Sequence, residues 1–110
     1  MNKLILAIFA VFTTFGISSL AIADSAAGQA KAKQVCAACH GENGDKPLQL
    51  EYAILAGQHR DYLVKALNDY KTGARKNAIM GAQALTLTRN DIRDVAEWFS
   101  SRSGPLTVKH

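Results

Sequence analysis

Two cysteines and a histidine lie close together in the sequence, and their spacing limits the chemistry that they can do. Cys36, Cys39 and His40 form a C-x-x-C-H pattern, and the chain has no other cysteine. On a helix, positions i, i+3 and i+4 share one face, so both thiols and the imidazole would project together. The pattern is typical of covalent haem attachment, in which two thioethers hold the porphyrin edge and the histidine binds the iron.

Three other uses of a closely spaced cysteine pair are open at this point. A structural disulfide suits an exported protein, but a bond that closes so short a loop constrains the unfolded chain little. A thioredoxin-like redox pair belongs in a βαβ context, whereas the surrounding sequence is helical in character. A zinc site would need a fourth ligand, and the other histidines, His59 and His110, lack the spacing of a zinc finger. Haem attachment is therefore the leading interpretation.

A haem iron that is held by one histidine has a second axial position, and Met80 is the candidate for it. The chain has two methionines, and the other one is Met1. Small residues flank Met80 and permit close approach of the backbone: Ala78, Gly81 and Ala82. Filling of the core is the alternative role for a methionine, but the pair of histidine and methionine is a known cytochrome ligand set. We therefore predict that His40 and Met80 bind one iron.

The first residues of the chain predict export. Lys3 is followed by an apolar run from Leu4 to Phe12 and then by small and hydroxylated residues that end in the A-x-A signal Ala21-Ile22-Ala23. The apolar run is shorter than the roughly 20 residues of a spanning helix, which disfavours an uncleaved membrane anchor. We expect residues 1–23 to be a cleaved signal peptide and residues 24–110 to form one periplasmic domain.

Composition bounds the class of the protein. The formal net charge of +4 is weakly basic and does not indicate a nucleic-acid partner. A domain as small as residues 24–110 buries little apolar surface and usually needs a disulfide, a metal or a prosthetic group. It has five large aromatic side chains: Tyr52, Tyr62, Tyr70, Trp98 and Phe99. The core is therefore underfilled unless a large apolar group occupies it, and haem would be such a group.

The rest of the sequence predicts helices that are separated by loops, with no convincing strand. Ala, Lys and Gln, all good helix formers, dominate from Ser25 to about Cys39. The glycine-containing segment from Gly41 to Gly57 predicts a loop that wraps another group. Helical spacing of apolar residues resumes after Gly57 and ends at Gly73, a typical C-terminal stop.

A second loop is predicted from Ala74 to Leu87, and it contains Met80. The last helix is predicted to open at Thr88, whose hydroxyl can cap it, while Asp91 favours the positive helix N-terminus. Its apolar face consists of Ile92, Val95, Ala96 and Phe99, with Trp98 alongside.

Taken together, these features resemble the class I c-type cytochromes, and in particular the short bacterial monohaem members of the cytochrome c-553 and cytochrome c4 type. The resemblance covers nearly all of residues 24–110. It rests on Gly28-Gln29-Ala30-Lys31-Ala32, Cys36 to Gly41, Leu55 to His59, Tyr62-Leu63, Tyr70 to Arg75, Leu87-Thr88, Asp91-Ile92 and Ala96. It implies an all-α cytochrome c fold of three to four helices around one covalently bound haem c, in which the first and last helices cross near Gly28 and Trp98.

One position departs from the pattern of the family. A proline in the loop commonly gives its carbonyl to the ring N–H of the haem histidine, and in this chain the place of that proline is taken by Ala53. Because alanine also has a carbonyl, the bond to His40 is expected to persist. The loop nevertheless loses a residue that fixes its own backbone.

The resemblance implies a periplasmic electron carrier, not an enzyme, whose iron cycles between Fe(II) and Fe(III). Two alternatives stay open: a haem enzyme or gas-binding protein with a labile Met80, and a cytochrome subunit of a larger redox complex. The expected partners are redox proteins, namely a membrane cytochrome complex, a terminal oxidase or a reductase. No nucleic acid, no stable membrane insertion after cleavage, and a monomer or weak dimer are expected. Five side chains are candidates for steering such partners: Lys31, Lys33, Lys46, Arg75 and Lys76.

Overall fold

The computed structural model describes residues 16–17 and 22–108, and within these ranges the chain has five helices and no strand. The helices are α1 (Ser25–Val35), α2 (Ala37–His40), α3 (Arg60–Thr72), α4 (Ala78–Leu85) and α5 (Arg89–Ser100). The expected all-α fold is confirmed. Across the described ranges, no helix is both long and apolar enough to span a bilayer. The signal peptide expected at residues 1–23 lies almost entirely outside the described residues and stays a prediction.

The crossing of α1 and α5 is the most extensive contact between two helices. A Cβ placed on Gly28 would lie 1.9 Å from the carbonyl oxygen of Asp94 and 3.1 Å from Cβ of Trp98. Only glycine lets the two backbones approach so closely. The crossing predicted near Gly28 and Trp98 is therefore confirmed.

The core lies against the inner face of α5. The buried residues of that helix are Ile92, Val95, Ala96, Trp98 and Phe99, the apolar set that the sequence predicts. Ala32 of α1 and Leu63 of α3 pack against this set in one cluster. Burial of such side chains stabilises the fold by about 25 cal/mol for each Å² of apolar surface removed from water.

The start of α5 and the end of α3 follow the predicted signals. Thr88 caps α5 in a capping box, in which its hydroxyl accepts from the backbone N–H of Asp91 at 3.1 Å and its own N–H donates to the Asp91 carboxylate at 2.8 Å. The middle helix, α3, begins after His59 and stops at Gly73, which adopts a left-handed conformation with φ of 83°.

The number of helices exceeds the predicted three to four for two reasons. The first helix is interrupted at Cys36, whose φ of −105° departs from the helical value near −63°. The segment from Ala74 to Leu87, predicted as a loop, contains α4. Its start is stabilised by the Asn77 side chain, which accepts hydrogen bonds from the backbone N–H groups of Ile79 and Met80 at 3.1 and 2.9 Å. Met80 therefore lies in the first turn of a helix and not in a loop.

Replacing Gly28 by alanine is expected to force α1 and α5 apart, because the new methyl group would overlap the Asp94 carbonyl. We expect a loss of about 1–3 kcal/mol, or more, in the free energy of unfolding. The matched control is Gln29→Ala, one residue further along the same helix on its exposed side, which should change the value by less than about 0.5 kcal/mol. Denaturant unfolding of both variants measures the difference, and equal stabilities would contradict the close crossing.

The capping box predicts that the free energy of unfolding decreases as the pH falls into the acidic range. The backbone N–H of Thr88 lowers the pKa of Asp91 below its ordinary value, and Lys31 lowers it further. A carboxylate with a lowered pKa in the folded state stabilises the fold above its unfolded pKa of about 3.9, and that stability is lost as the pH falls. We therefore expect Asp91→Asn to lose less stability than the wild type between pH 6 and about pH 3, as measured by denaturant unfolding. Asp61→Asn removes an exposed carboxylate and should keep the wild-type dependence.

Candidate haem site

A cavity of about 470 Å³ lies between α3, α4 and the loop that follows α2. Its wall contains Cys36, Cys39, His40 and Met80. The structure thus brings all four residues that the sequence predicts as the site to one space. Most of the other side chains on the wall are apolar, and they include Val35, Leu55, Leu63, Leu67, Leu87 and Phe99. A large apolar group would suit such a wall.

The loop from Gly41 to Gly57 closes one side of the cavity, as the sequence predicts for a segment that wraps another group. The backbone N–H of Leu48 donates to the Cys39 carbonyl at 2.9 Å, which ties the loop to the cysteine motif. Its far end is held by Gly44, whose carbonyl accepts from Leu55 at 2.8 Å and from Ala56 at 3.1 Å. These bonds are made by the backbone, so they fix the path of the loop with little help from side chains.

His40 is buried, with 8% of its surface exposed, and its ring is held in one orientation. Nδ1 lies 2.7 Å from the carbonyl oxygen of Ala53. Because a carbonyl can only accept, Nδ1 carries the proton of this bond, and Nε2 keeps a lone pair that can bind a metal. The bond expected from Ala53 is therefore present although proline is not. Bonds of this kind orient metal-binding histidines and raise their basicity.

The two cysteines are not joined in a disulfide. Burial raises the pKa of the Cys36 thiol to about 11, and the neighbouring Cys39 adds to the increase. Redox-active cysteine pairs need a lowered pKa, since the thiolate is the nucleophile. The surroundings of Cys36 therefore argue against a thioredoxin-like pair.

Arg75 lies on the wall of the cavity, where the sequence indicated only a surface charge. Its guanidinium donates to the hydroxyl of Tyr62 at 3.1 Å and lies 5.0 Å from the ring centre of Tyr70. The hydrogen bond with Tyr62 and the neighbouring Tyr70 raise the pKa of Arg75. The two tyrosines are eight residues apart on α3, a spacing that places them on one helix face. This spacing is the feature of the sequence from which the cluster could have been predicted.

The other candidate steering charges divide into two groups. Lys31 pairs with Asp91 at 3.5 Å, and Lys33 pairs with Glu42 at 3.0 Å. Lys46 and Lys76, by contrast, form no ion pair with any residue in the described ranges. Charges that are not already neutralised by a neighbour contribute most to the long-range attraction of an acidic partner.

The fold and the site define a small α-helical domain built to hold a large apolar prosthetic group through a cysteine–histidine motif. The profile of the cytochrome c family matches residues 25–103, and the chain belongs to this family. The cofactor of the family is covalently bound haem c. Its requirements fit the residues present, because both thiols border an apolar cavity and His40 offers Nε2.

Known proteins support the same assignment. Cytochrome c4 from Pseudomonas aeruginosa is 41% identical over 104 residues, which span 93% of this chain and 49% of that protein. Cytochrome c-554(548) from Halomonas halodenitrificans is 39% identical over 82 residues, 72% of this chain and 96% of that protein. The crystal structure of reduced recombinant cytochrome c4 from Pseudomonas stutzeri superimposes with a TM-score of 0.69 at 37% identity, over 76% of this chain and 47% of that one. The chain thus spans about half the length of the cytochrome c4 relatives that it matches.

Replacing Ala53 by glycine should loosen the carbonyl that holds His40, because the backbone of glycine is less restricted than that of alanine at this position of the folded loop. We expect a loss of about 0.4–1 kcal/mol of stability and exchange of the His40 ring proton with solvent that is faster by about two- to fivefold. NMR of the haem-loaded protein measures this exchange. Ala74→Gly, at an exposed position after α3, is the matched control. It should lose similar stability without faster exchange; equal exchange rates would show that Ala53 does not hold the ring.

Proposed function

We propose that the chain is a periplasmic electron carrier with one haem c. In this proposal Cys36 and Cys39 would hold the haem through thioethers, and His40 and Met80 would bind its iron. The observation that carries the proposal is that these four side chains border one apolar cavity, in which the ring of His40 is already oriented by Ala53.

The bound haem would supply a reversible one-electron change at its iron. The residues of the chain determine how easily that change occurs. His40 keeps one orientation through its bond to Ala53, so little rearrangement accompanies a change of charge. Met80 as the second ligand would favour the reduced state and raise the potential. The apolar side chains on the wall would limit contact of the haem with water, which lowers the local dielectric constant and strengthens each of these influences.

A carrier is favoured over an enzyme because both His40 and Met80 would bind the iron. A substrate or gas would then reach the iron only where Met80 is displaced. Met80 is held in the first turn of α4 by the capping contact of its own backbone N–H with Asn77 at 2.9 Å. This contact restrains the backbone beside the proposed sulfur ligand, so a labile Met80 is the less favoured alternative. A fixed subunit of a larger redox complex would use the same site chemistry.

The proposed location follows from the leader expected at residues 1–23, which would be removed on export. The proposed partners are other redox proteins, such as a membrane cytochrome complex, a terminal oxidase or a reductase. Encounters between such proteins are brief and their interfaces are small. Lys46, Lys76 and Arg75 are the charges best suited to steer them, since the other two candidates are paired within the domain.

Replacing Met80 by alanine tests the ligand set. The purified wild-type protein is expected to show low-spin ferric haem with the weak red absorption band of sulfur-bound iron, and to bind carbon monoxide or cyanide slowly. Met80→Ala should lose that band, become high-spin or water-bound, bind both ligands readily and have a lower reduction potential.

The matched control is Gln83→Ala, because Gln83 also borders the cavity but is no proposed ligand, and it should keep the wild-type spectrum. Wild-type protein that is already high-spin would favour the enzyme or gas-binding alternative over the carrier. Protein that is purified from the periplasm without covalent haem would overturn the proposal as a whole.

A further inference from the structure

The backbone nitrogen of Asp24 lies 2.8 Å from Oδ1 of Asp94, at the end of α1 where it meets α5. Asp24 is the residue before α1, and its own carboxylate accepts from the backbone N–H groups of Ala26 and Ala27 at 2.9 and 3.1 Å. The backbone carbonyl of Asp94 is also the group that prevents any side chain at Gly28. Asp94 therefore contacts the start of α1 in two ways, through a hydrogen bond to its carboxylate and through close packing of its main chain.

We propose that removal of the leader after Ala23 turns this contact, in which only the acceptor is charged, into an ion pair between the new α-ammonium group of Asp24 and the carboxylate of Asp94. The inference rests on the processing proposed above. A signal peptidase would use water to break the bond between the Ala23 carbonyl carbon and the Asp24 nitrogen. The carbon gains the hydroxyl and becomes a carboxylate, and the nitrogen gains the remaining hydrogen. The proton that the nitrogen then takes up balances the one that the carboxyl group releases.

Cleavage before Asp24 leaves the contacts of α1 intact. Asp24 is extended, with φ of −109° and ψ of 111°, and Ile22 is 88% exposed. The helix begins at the next residue, so cutting before Asp24 breaks no helical hydrogen bond. The Asp24 carbonyl, which accepts from the N–H of Gly28 at 2.9 Å, stays on the domain side of the cut.

Cleavage replaces an amide that has one donor by a cation that has three. The carboxylate acceptor already strengthens the hydrogen bond before cleavage, and the new charge on the donor adds a Coulombic attraction. The contact is exposed, and exposed pairs of this kind change the unfolding equilibrium by about two- to fivefold. The Asp24 carboxylate belongs to the same residue and caps α1. The other charged side chains of the packed helices are Lys31 and Lys33 on α1, Arg89, Asp91, Arg93 and Glu97 on α5, and Arg60, Asp61, Lys65, Asp69 and Lys71 on α3. Lys31 is paired with Asp91 and Arg60 with Glu97, and Asp94 is the side chain in contact with the Asp24 nitrogen.

The test uses the haem-loaded protein purified from the periplasm. Intact mass first identifies the N-terminal residue, which should be Asp24. A second precursor carries one alanine inserted between Ala23 and Asp24, so that its product keeps the amide at Asp24 and moves the charge one residue away. Each form is prepared with Asp94 and with Asp94→Asn, and with Asp61→Asn as a control that removes an equal but exposed charge.

At pH 6 the inserted alanine should increase the unfolding equilibrium constant by about two- to fivefold when Asp94 is present. In the Asp94→Asn variant the inserted alanine should change the unfolding equilibrium constant little. In the Asp61→Asn variant it should change the constant by as much as in the wild type. The pair needs a protonated amine, whose ordinary pKa is about 8. Its contribution is therefore complete at pH 6 and is lost as the pH rises from about 8 to about 9, so the difference between the two precursors should shrink over this range.

A chain that begins at another residue would overturn the processing step and the inference together. A chain that begins at Asp24 but responds to the inserted alanine equally with Asp94 and with Asp94→Asn would overturn the ion pair alone. A difference that persists unchanged at high pH would overturn it as well, because no charge would then be involved. None of these results depends on Met80, so they are distinguishable from failure of the proposed electron-carrier function.

Discussion

The domain surrounds a cavity that its own side chains do not fill, and the rest of the structure depends on what fills it. Most of the side chains on its wall are apolar, and apolar surface that is removed from water contributes about 25 cal/mol for each Å² to stability. The haem of this family is therefore a part of the core as well as the redox centre, and folding and cofactor attachment are energetically one problem.

The helix crossing at Gly28 positions the cysteine motif beside the cavity. With α1 against the backbone of Asp94, the C-terminal end of α1 and the motif that follows it are directed along one side of the cavity. α5 contributes Val95, Ala96 and Phe99 to the same wall. One close contact between two backbones thus sets the position of both cysteines relative to the core. A few tenths of an ångström at Gly28 would be transmitted to the cofactor because the helices between are rigid.

The parts of the site that could be predicted from the sequence are those encoded over a few residues. Cys36, Cys39 and His40 form one local motif, and Thr88 with Asp91 forms another, so each could be recognised without knowledge of the fold. α4 could not, because eight residues with Gly81 among them give too weak a periodic pattern, and its start depends on the side chain of Asn77. The place of Arg75 on the cavity wall also escaped prediction, since it results from packing of α3 beside α4.

The bond between His40 and Ala53 shows which features of a site depend on the identity of a residue and which do not. The acceptor is a backbone carbonyl, which every residue has, so the hydrogen bond itself does not require a particular side chain. What the side chain changes is the stiffness of the backbone that carries the carbonyl, and proline, alanine and glycine differ in this respect. In this chain the stiffness is supplied from both ends of the loop, where Leu48 is bonded to Cys39 and Leu55 to Gly44. The orientation of the proposed iron ligand is thereby set by main-chain bonds that lie outside the C-x-x-C-H motif, and the motif alone is not sufficient to produce it.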